Sequence, residues 1–184
     1  MYPLWNRLQY VLSPQFDIYE SVAKVIRGDV ADIGSGTGFG THLLTRNATV
    51  VHGYETDEDA CRFAQRVFSN KKIWFRHGDI VKGLEGSYDF VTMIDVIEHI
   101  DQDRKALQNC KKLLKDSGLF ILSTPNRLSR YRKAETHVRE YSHAELKTLV
   151  KRVFVSVDIR DFALNEPTSK YSNPIVAVCS KCGG

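Results

Sequence analysis

The stretch "DIGSGTGFG", Asp32 to Gly40, joins an apolar β-rich run to a helical one. Its glycines let a ligand approach the main chain closely, and a loop of this kind between a strand and a helix belongs to a parallel α/β sheet. The rest of the chain keeps the same alternation. Short β-rich runs trade places with amphipathic helical stretches, with no internal repeat, low-complexity segment or linker. At 184 residues the expectation is one domain, residues 1–184, with a single sizeable core.

Helical spacing first appears at Phe16, Tyr19, Val22 and Ile26 and ends at Gly28, so residues 1–27 read as a helical segment that lids a pocket or packs on the core. A strand at Asp29 to Ile33 leads into the glycine loop, and a helix through Leu43 and Leu44 follows. Ala48 to Glu55 reads as the second strand, and Asp57 as the cap of a helix with Ala60, Phe63, Ala64, Val67 and Phe68 on its apolar face. Lys72 to Asp79 and Tyr88 to Asp95 read as strands three and four. Asp101 is expected to cap a helix burying Leu107, Cys110, Leu113 and Leu114, with Gly118 as its stop, and Leu119 to Pro125 to form strand five. Ser142 to Glu145 has the form of a capping box for a helix carrying Leu146, Leu149 and Val150. The last strands, around Val153 to Ile159 and Ile175 to Cys179, have only a loop between them, which predicts an antiparallel pair after five parallel units.

The apolar runs fall far short of the roughly 20 residues that span a bilayer. Met1 to Leu12 mixes Trp5, Asn6, Arg7 and Gln9 with apolar residues and does not read as a signal peptide, so a cytoplasmic location and no membrane partner are expected. Four cysteines are too few and scattered for a disulfide scaffold; Cys61 and Cys110 read as core. "CSKCGG", Cys179 to Gly184, resembles half a zinc ribbon without the second pair that would complete four ligands. The net charge of +4 is too mild to imply nucleic acid by itself.

A dinucleotide fingerprint would need glycine where this chain has Phe39, and Asp32 is an awkward neighbour for a pyrophosphate; a dehydrogenase is disfavoured, and a ligand with a cationic end suits the loop better. Glu55 closes the second strand, where an acid can accept both hydroxyls of a ribose. Asp79, after the third, is placed to accept from an exocyclic adenine amine. Each acid alone is equally at home as a loop or cap residue. Together, Asp32, Glu55 and Asp79 line the crevice at the carboxyl ends of successive strands, where open α/β sheets bind ligands.

From Val30 to Cys179 these features resemble the class I S-adenosylmethionine-dependent methyltransferases. The resemblance implies a Rossmann-like fold: a seven-stranded, mostly parallel sheet with helices on both faces and an antiparallel C-terminal strand. It also implies S-adenosylmethionine as cofactor, with Asp32, Gly34, Ser35, Gly36 and Gly38 around its methionine part, Glu55 and Thr56 at the ribose, Asp79 and Ile80 at the adenine, and Ile94 and Asp95 flanking the methionine end.

"MIDVIEHIDQD", Met93 to Asp103, places Asp95, Glu98 and His99 at i, i+3 and i+4, on one side of a single helical turn. His137 lies downstream in "ETHVREYS". This combination resembles two branches of the family, the ubiquinone-pathway O-methyltransferases and the small-RNA 3′-terminal 2′-O-methyltransferases. In those branches an acid-x-x-Glu-His turn and a later histidine bind a divalent metal that grips the acceptor's hydroxyls. The resemblance implies Mg or Mn on Asp95, Glu98, His99 and His137, although the RNA branch is expected to carry glutamate where this chain has Asp95. A direct acid–base role for His99 or His137 without metal stands beside that reading. His42, His52, His77 and His143 read as structural.

Arg127, Arg130, Arg132 and Lys133, with Tyr131 among them, follow the fifth strand and suit a phosphate, a carboxylate or an RNA backbone, or form a solvated loop. Tyr2, Trp5, Tyr10, Phe16 and Tyr19 make the N-terminal segment aromatic. No insertion large enough for a substrate domain is present. The leading expectation is methylation of an oxygen on a small anionic or sugar-like molecule. A metal-dependent RNA 2′-O-methyltransferase is the alternative, and a cofactor-binding, non-catalytic partner subunit a third.

Overall fold

The computed structural model describes residues 14–129 and 134–182. Seven strands form one sheet: β1 (Gly28–Ile33), β2 (Ala48–Glu55), β3 (Ile73–His77), β4 (Tyr88–Ile94), β5 (Leu114–Thr124), β6 (Ser156–Arg160) and β7 (Ile175–Ser180), in the order β3-β2-β1-β4-β5-β7-β6. β1 to β5 pair in parallel, and β7 inserts between β5 and β6, antiparallel to both. This is the Rossmann-like, mostly parallel sheet expected from the sequence. No helix among the described residues is long and apolar enough to cross a membrane.

Strand alternation divides the core into two layers. One face takes Val30, Val51, Ile94 and Val176 against α1 (Pro14–Val25), α2 (Phe39–Leu44) and α3 (Glu58–Phe68). The other takes Ala31, Met93, Phe120 and Leu122 against α4 (Asp103–Leu113) and α5 (His143–Lys151). There the rings of Phe120 and Phe154 stack with centroids 5.1 Å apart. Asp57 caps α3 through the amides of Asp59 and Ala60, and Ser142 and Glu145 close a reciprocal capping box on α5, both as expected.

Several local expectations are corrected. Asp101 caps nothing: Gln102 holds that position without a side-chain bond, and the neighbouring Asp103 turns inward to Arg139 and Tyr141. Gly118 does not stop α4; the helix ends at Leu113 and β5 starts at Leu114. Pairing with β4 then jumps from Tyr88↔Leu114 to Phe90↔Leu119. Gly118 sits in that irregularity, where a Cβ would lie 3.0 Å from the carbonyl oxygens of Lys115 and Tyr88, so glycine permits the close approach of backbone. Val67 is 44% exposed because the buried stripe of α3 runs through Cys61 and Ala64 and leaves it to one side. Val153 continues the end of α5, its amide donating to Val150 O, and β6 begins only at Ser156. Cys179 is buried in β7 and Cys182 is exposed beyond it.

Because Phe120 is fully buried against Phe154, Phe120→Ala is expected to lower the unfolding free energy by roughly 3–5 kcal/mol. Urea denaturation checks this; a loss near zero would mean that the layer beneath β5 is not packed as described.

Candidate active site

The sheet changes direction between β1 and β4, and there the chain leaves one strand for each face and opens a crevice at the carboxyl ends. The cleft there measures about 660 Å³ and is lined by Glu55, Asp79, Ile80, Gly34, Asp95 and His99. That volume is suited to a nucleoside-sized ligand. A smaller cleft meets it at Gly34 and Asp95 and runs beneath α1, between Phe16, Tyr19, Ser35 and Ile94.

The glycine loop forms because the amides of Gly34 and Ser35 both donate to Tyr54 O, which folds the chain back against β2. Gly34 has φ +74°, and a Cβ there would lie 2.4 Å from Val96 Cγ2. Gly36 has φ +52° and open space where a Cβ would be, so its peptide can meet a ligand directly. Gly38 begins α2. Glu55 is braced by the same loop: Oε2 accepts from Gly36 N at 2.7 Å, and Oε1 from Thr56 N at 2.8 Å and Asp57 N at 2.9 Å. Asp79 accepts from Val81 N at 2.8 Å, and Asn109 of α4 donates to Ile80 O, steadying the loop after β3.

Asp32 does not reach the crevice, contrary to the cofactor role expected of it. It is fully buried beneath the loop and accepts from Thr41 Oγ1 at 2.6 Å, Thr92 Oγ1 at 2.6 Å and Tyr19 Oη at 3.1 Å. The sequence placed it at a strand end; the pleat turns it toward α1 and α2. Its charge therefore argues neither for nor against a pyrophosphate. Burial raises its carboxyl to about 6, against the pull of the three hydroxyls.

Asp95, directly after β4, has φ 52°, a strained conformation for a residue with a side chain. Ser123 Oγ donates to its Oδ1 at 2.6 Å, Gln15 of α1 also bonds to it, and burial raises its carboxyl above the usual range. Beyond it Ile97–His99 form a single 3₁₀ turn rather than an α-helical one, and the acid and histidine cluster divides. Glu98 points inward at 1% exposure: Oε2 accepts from Thr124 Oγ1 at 3.0 Å, and Oε1 has no partner among the described residues. Burial, and then the nearby Asp95, raise its carboxyl to about 8. His99 and His137 meet edge to face, centroids 4.9 Å apart.

Glu98, His99 and His137 each offer a ligand atom within 4.8 Å of the others. Asp95, expected as a fourth, stands outside that group. His99 Nδ1 lies 3.0 Å from Thr136 O; a carbonyl only accepts, so Nδ1 carries a proton, and the lone pair of the neutral ring is on Nε2. His137 Nδ1 lies 2.8 Å from Glu140 Oε1. The amides of Val138 and Arg139 donate to Glu98 O at 2.8 and 3.2 Å, docking the segment that carries His137 onto the turn.

Thr124, Ser123, Asn109 and Glu140 were missed by sequence reasoning, since hydroxyls and amides that orient a site carry no spacing signal. Of the other histidines, His52 bonds Tyr88 Oη, His77 meets Thr56 O, and His42 stacks on Phe68, in keeping with structural roles. Arg127 is paired with Glu145 at 2.6 Å. Arg130, Tyr131, Arg132 and Lys133 lie outside the described residues, as do Tyr2, Trp5 and Tyr10.

A loop, two strand-end acids and a switch-point crevice in this arrangement define the Rossmann-like methyltransferase class of fold. The chain belongs to the family described as Methyltransferase domain, whose profile matches residues 16–153. It is 30% identical over 149 residues to a Mycolicibacterium smegmatis protein described as a probable S-adenosylmethionine-dependent methyltransferase, covering 77% of this chain and 57% of that protein. A ubiquinone biosynthesis O-methyltransferase of Glaesserella parasuis is 30% identical over 110 residues, 55% of this chain and 47% of that one. The chain thus spans about half the length of these relatives. Among solved structures, an S-adenosylmethionine-dependent methyltransferase from Clostridium acetobutylicum shares the fold with a TM-score of 0.78 at 16% identity, covering 97% of this chain and 98% of that one.

Asp32 yields a pH prediction. Its carboxyl sits near 6 in the fold and near 3.9 unfolded, so between those values the folded chain holds a proton that the unfolded chain has lost. Stability contributed by that proton is present below about pH 4 and lost as pH rises through 6, on the order of 3 kcal/mol. Asp32→Asn is expected to flatten the stability profile over that window, as read by denaturation at stepped pH; a profile parallel to wild type would contradict the buried, raised carboxyl.

Proposed function

We propose that the protein transfers a methyl group from S-adenosylmethionine to an oxygen of a small acceptor, assisted by a divalent metal at Glu98, His99 and His137. The observation that carries the reading is the unpaired, buried Glu98 Oε1 within reach of two imidazoles, of which His99 lines a nucleoside-sized cleft.

The residues present fit the donor. Glu55 offers a braced carboxylate to a ribose diol and Asp79 one to an adenine amine. Gly36 leaves open space for the methionine part beside the cleft lined by Gly34, Ile94 and Asp95. Bound there, the donor supplies a methyl group on a positively charged sulfur. The chain's own work is to hold that end still beside the acceptor, since in-line geometry is where most of the rate is gained.

The residues also fit a metal. Glu98 Oε1 needs a positive partner or a proton, His99 keeps an Nε2 lone pair, and mixed carboxylate and imidazole donors suit Mg, Mn, Fe or Zn. Such an ion would supply a Lewis acid that makes an acceptor hydroxyl easier to deprotonate. With Nε2 of both rings committed to the ion, that proton would leave to solvent; without the ion, either histidine would be placed to take it at Nε2 instead. Oxygen is the favoured atom because a hydroxyl, unlike a neutral amine, is a weak nucleophile until its proton is removed. The named activity of the ubiquinone-pathway relative supports the same choice.

Calorimetric titration of S-adenosylhomocysteine into EDTA-stripped protein, followed by methyl-transfer assays on hydroxyl acceptors with and without Mn, tests the proposal. Glu55→Ala is expected to weaken binding by roughly 10-fold or more. His99→Ala is expected to cut metal-supported transfer by roughly 10²- to 10⁴-fold. Absence of donor binding would sink the assignment; binding with transfer untouched by EDTA and by His99→Ala would remove the metal. Strong salt dependence with RNA acceptors would replace the small acceptor by a nucleic acid.

A further inference from the structure

We propose that Glu140 is a positioning residue of this site, fixing the ring and tautomer of His137 so that its Nε2 is left for the cluster with Glu98 and His99. This rests on the metal reading of those three residues but concerns a fourth that belongs to none of the expected ligand positions. Glu140 Oε1 lies 2.8 Å from His137 Nδ1, and the two side chains are only 10% and 9% exposed. An exposed pair of this kind contributes little because water screens it and both side chains must be immobilised. Here both groups are already enclosed, and a carboxylate at Nδ1 selects the tautomer with the proton on that nitrogen. The remaining lone pair is then on Nε2, the atom that a metal or an acceptor proton needs. A carboxylate behind an imidazole also makes the ring a stronger donor toward a cation.

Bonds other than that of Glu140 to His137 also hold the segment in place. Val138 and Arg139 donate their amides to Glu98 O, and Asp103 accepts from Arg139 at 2.7 Å and Tyr141 Oη at 2.9 Å. Tyr141 O in turn accepts from Arg127 N. The backbone is thus anchored on both sides of residue 140 by bonds that do not involve its side chain. His99 is treated in parallel by a main-chain carbonyl, Thr136 O, at 3.0 Å. Both rings are thus oriented through Nδ1, one by backbone and one by Glu140.

The test uses the full chain after EDTA treatment, with Mn as the probe. Mn affinity is read by the electron paramagnetic resonance signal of the free ion, and the His137 tautomer by nitrogen NMR of the imidazole. Wild type is expected to show the Nδ1-protonated tautomer and to take up Mn. Glu140→Ala is expected to weaken Mn binding by roughly 10- to 100-fold and to shift His137 toward the other tautomer, with S-adenosylhomocysteine affinity and circular dichroism unchanged. Glu140→Gln, which keeps an acceptor oxygen but loses the charge, is expected to fall between. Unchanged Mn affinity in Glu140→Ala, or an unchanged tautomer, would overturn the role given to Glu140 while leaving the metal site standing. A wild-type chain that takes up no Mn would remove the metal reading instead, and the tautomer alone would then decide whether Glu140 positions His137.

Discussion

Three hydroxyls from three elements converge on Asp32, a carboxylate with no exposed surface: Tyr19 from α1, Thr41 from α2 and Thr92 from β4. An ionised group sealed from water without partners would be prohibitively costly, so the acid and its donors must assemble together. Much of the site follows from that requirement. α1 is tied down through Tyr19, and in being tied it sets Gln15 and Phe16 along the smaller cleft. α2 is tied through Thr41 one turn after the glycine loop, and β4 through Thr92 just before the chain turns at Asp95. The walls on three sides of the crevice are referenced to one buried carboxylate that does not itself touch the ligand space.

The opposite wall depends on how the chain leaves β4. Asp95 takes a positive φ, its amide donates to Ser123 O, and Ser123 Oγ returns a bond to its carboxylate. That turn is strained, and β5 holds it. The tight 3₁₀ turn that follows sends Glu98 toward Thr124 and leaves His99 at the rim, so adjacent residues serve the interior and the cleft. A low-dielectric pocket for one carboxylate and a solvent-facing imidazole beside it are the consequence of three residues of backbone.

Periodicity and turn chemistry made much of this legible. The alternation of strands and helices, the capping box at Ser142, the Asp57 cap and the antiparallel end were all readable because each depends on local spacing. The same local reasoning failed at Asp101, where a neighbouring residue had better partners far away in sequence. It failed at Gly118, where glycine serves a crowded strand rather than a helix end. At the site, glycine spacing and strand-end acids pointed to the crevice. Asp95 was grouped with Glu98 and His99 by α-helical spacing and by the resemblance to an acid-x-x-Glu-His metal turn, whereas the 3₁₀ turn leaves it outside the cluster. Glu140, Thr124 and Asn109 were invisible, since nothing in the order of residues says which side chain a fold will set behind another.

What the sequence alone determined is the class of sheet, the position of the ligand loop and the set of groups able to do chemistry near it. These follow from patterns within a few residues of one another, where sterics and hydrophobic period leave few choices. The tertiary structure alone decided that Asp32 would be a buried anchor and not a ligand group. It also separated Asp95 from the Glu98, His99 and His137 cluster and brought Glu140 behind one of its rings. Those outcomes depend on the pleat of β1, the 3₁₀ turn after β4 and the docking of residues 134–141. Each is a contact between segments distant in sequence, and burial rather than spacing assigns the role.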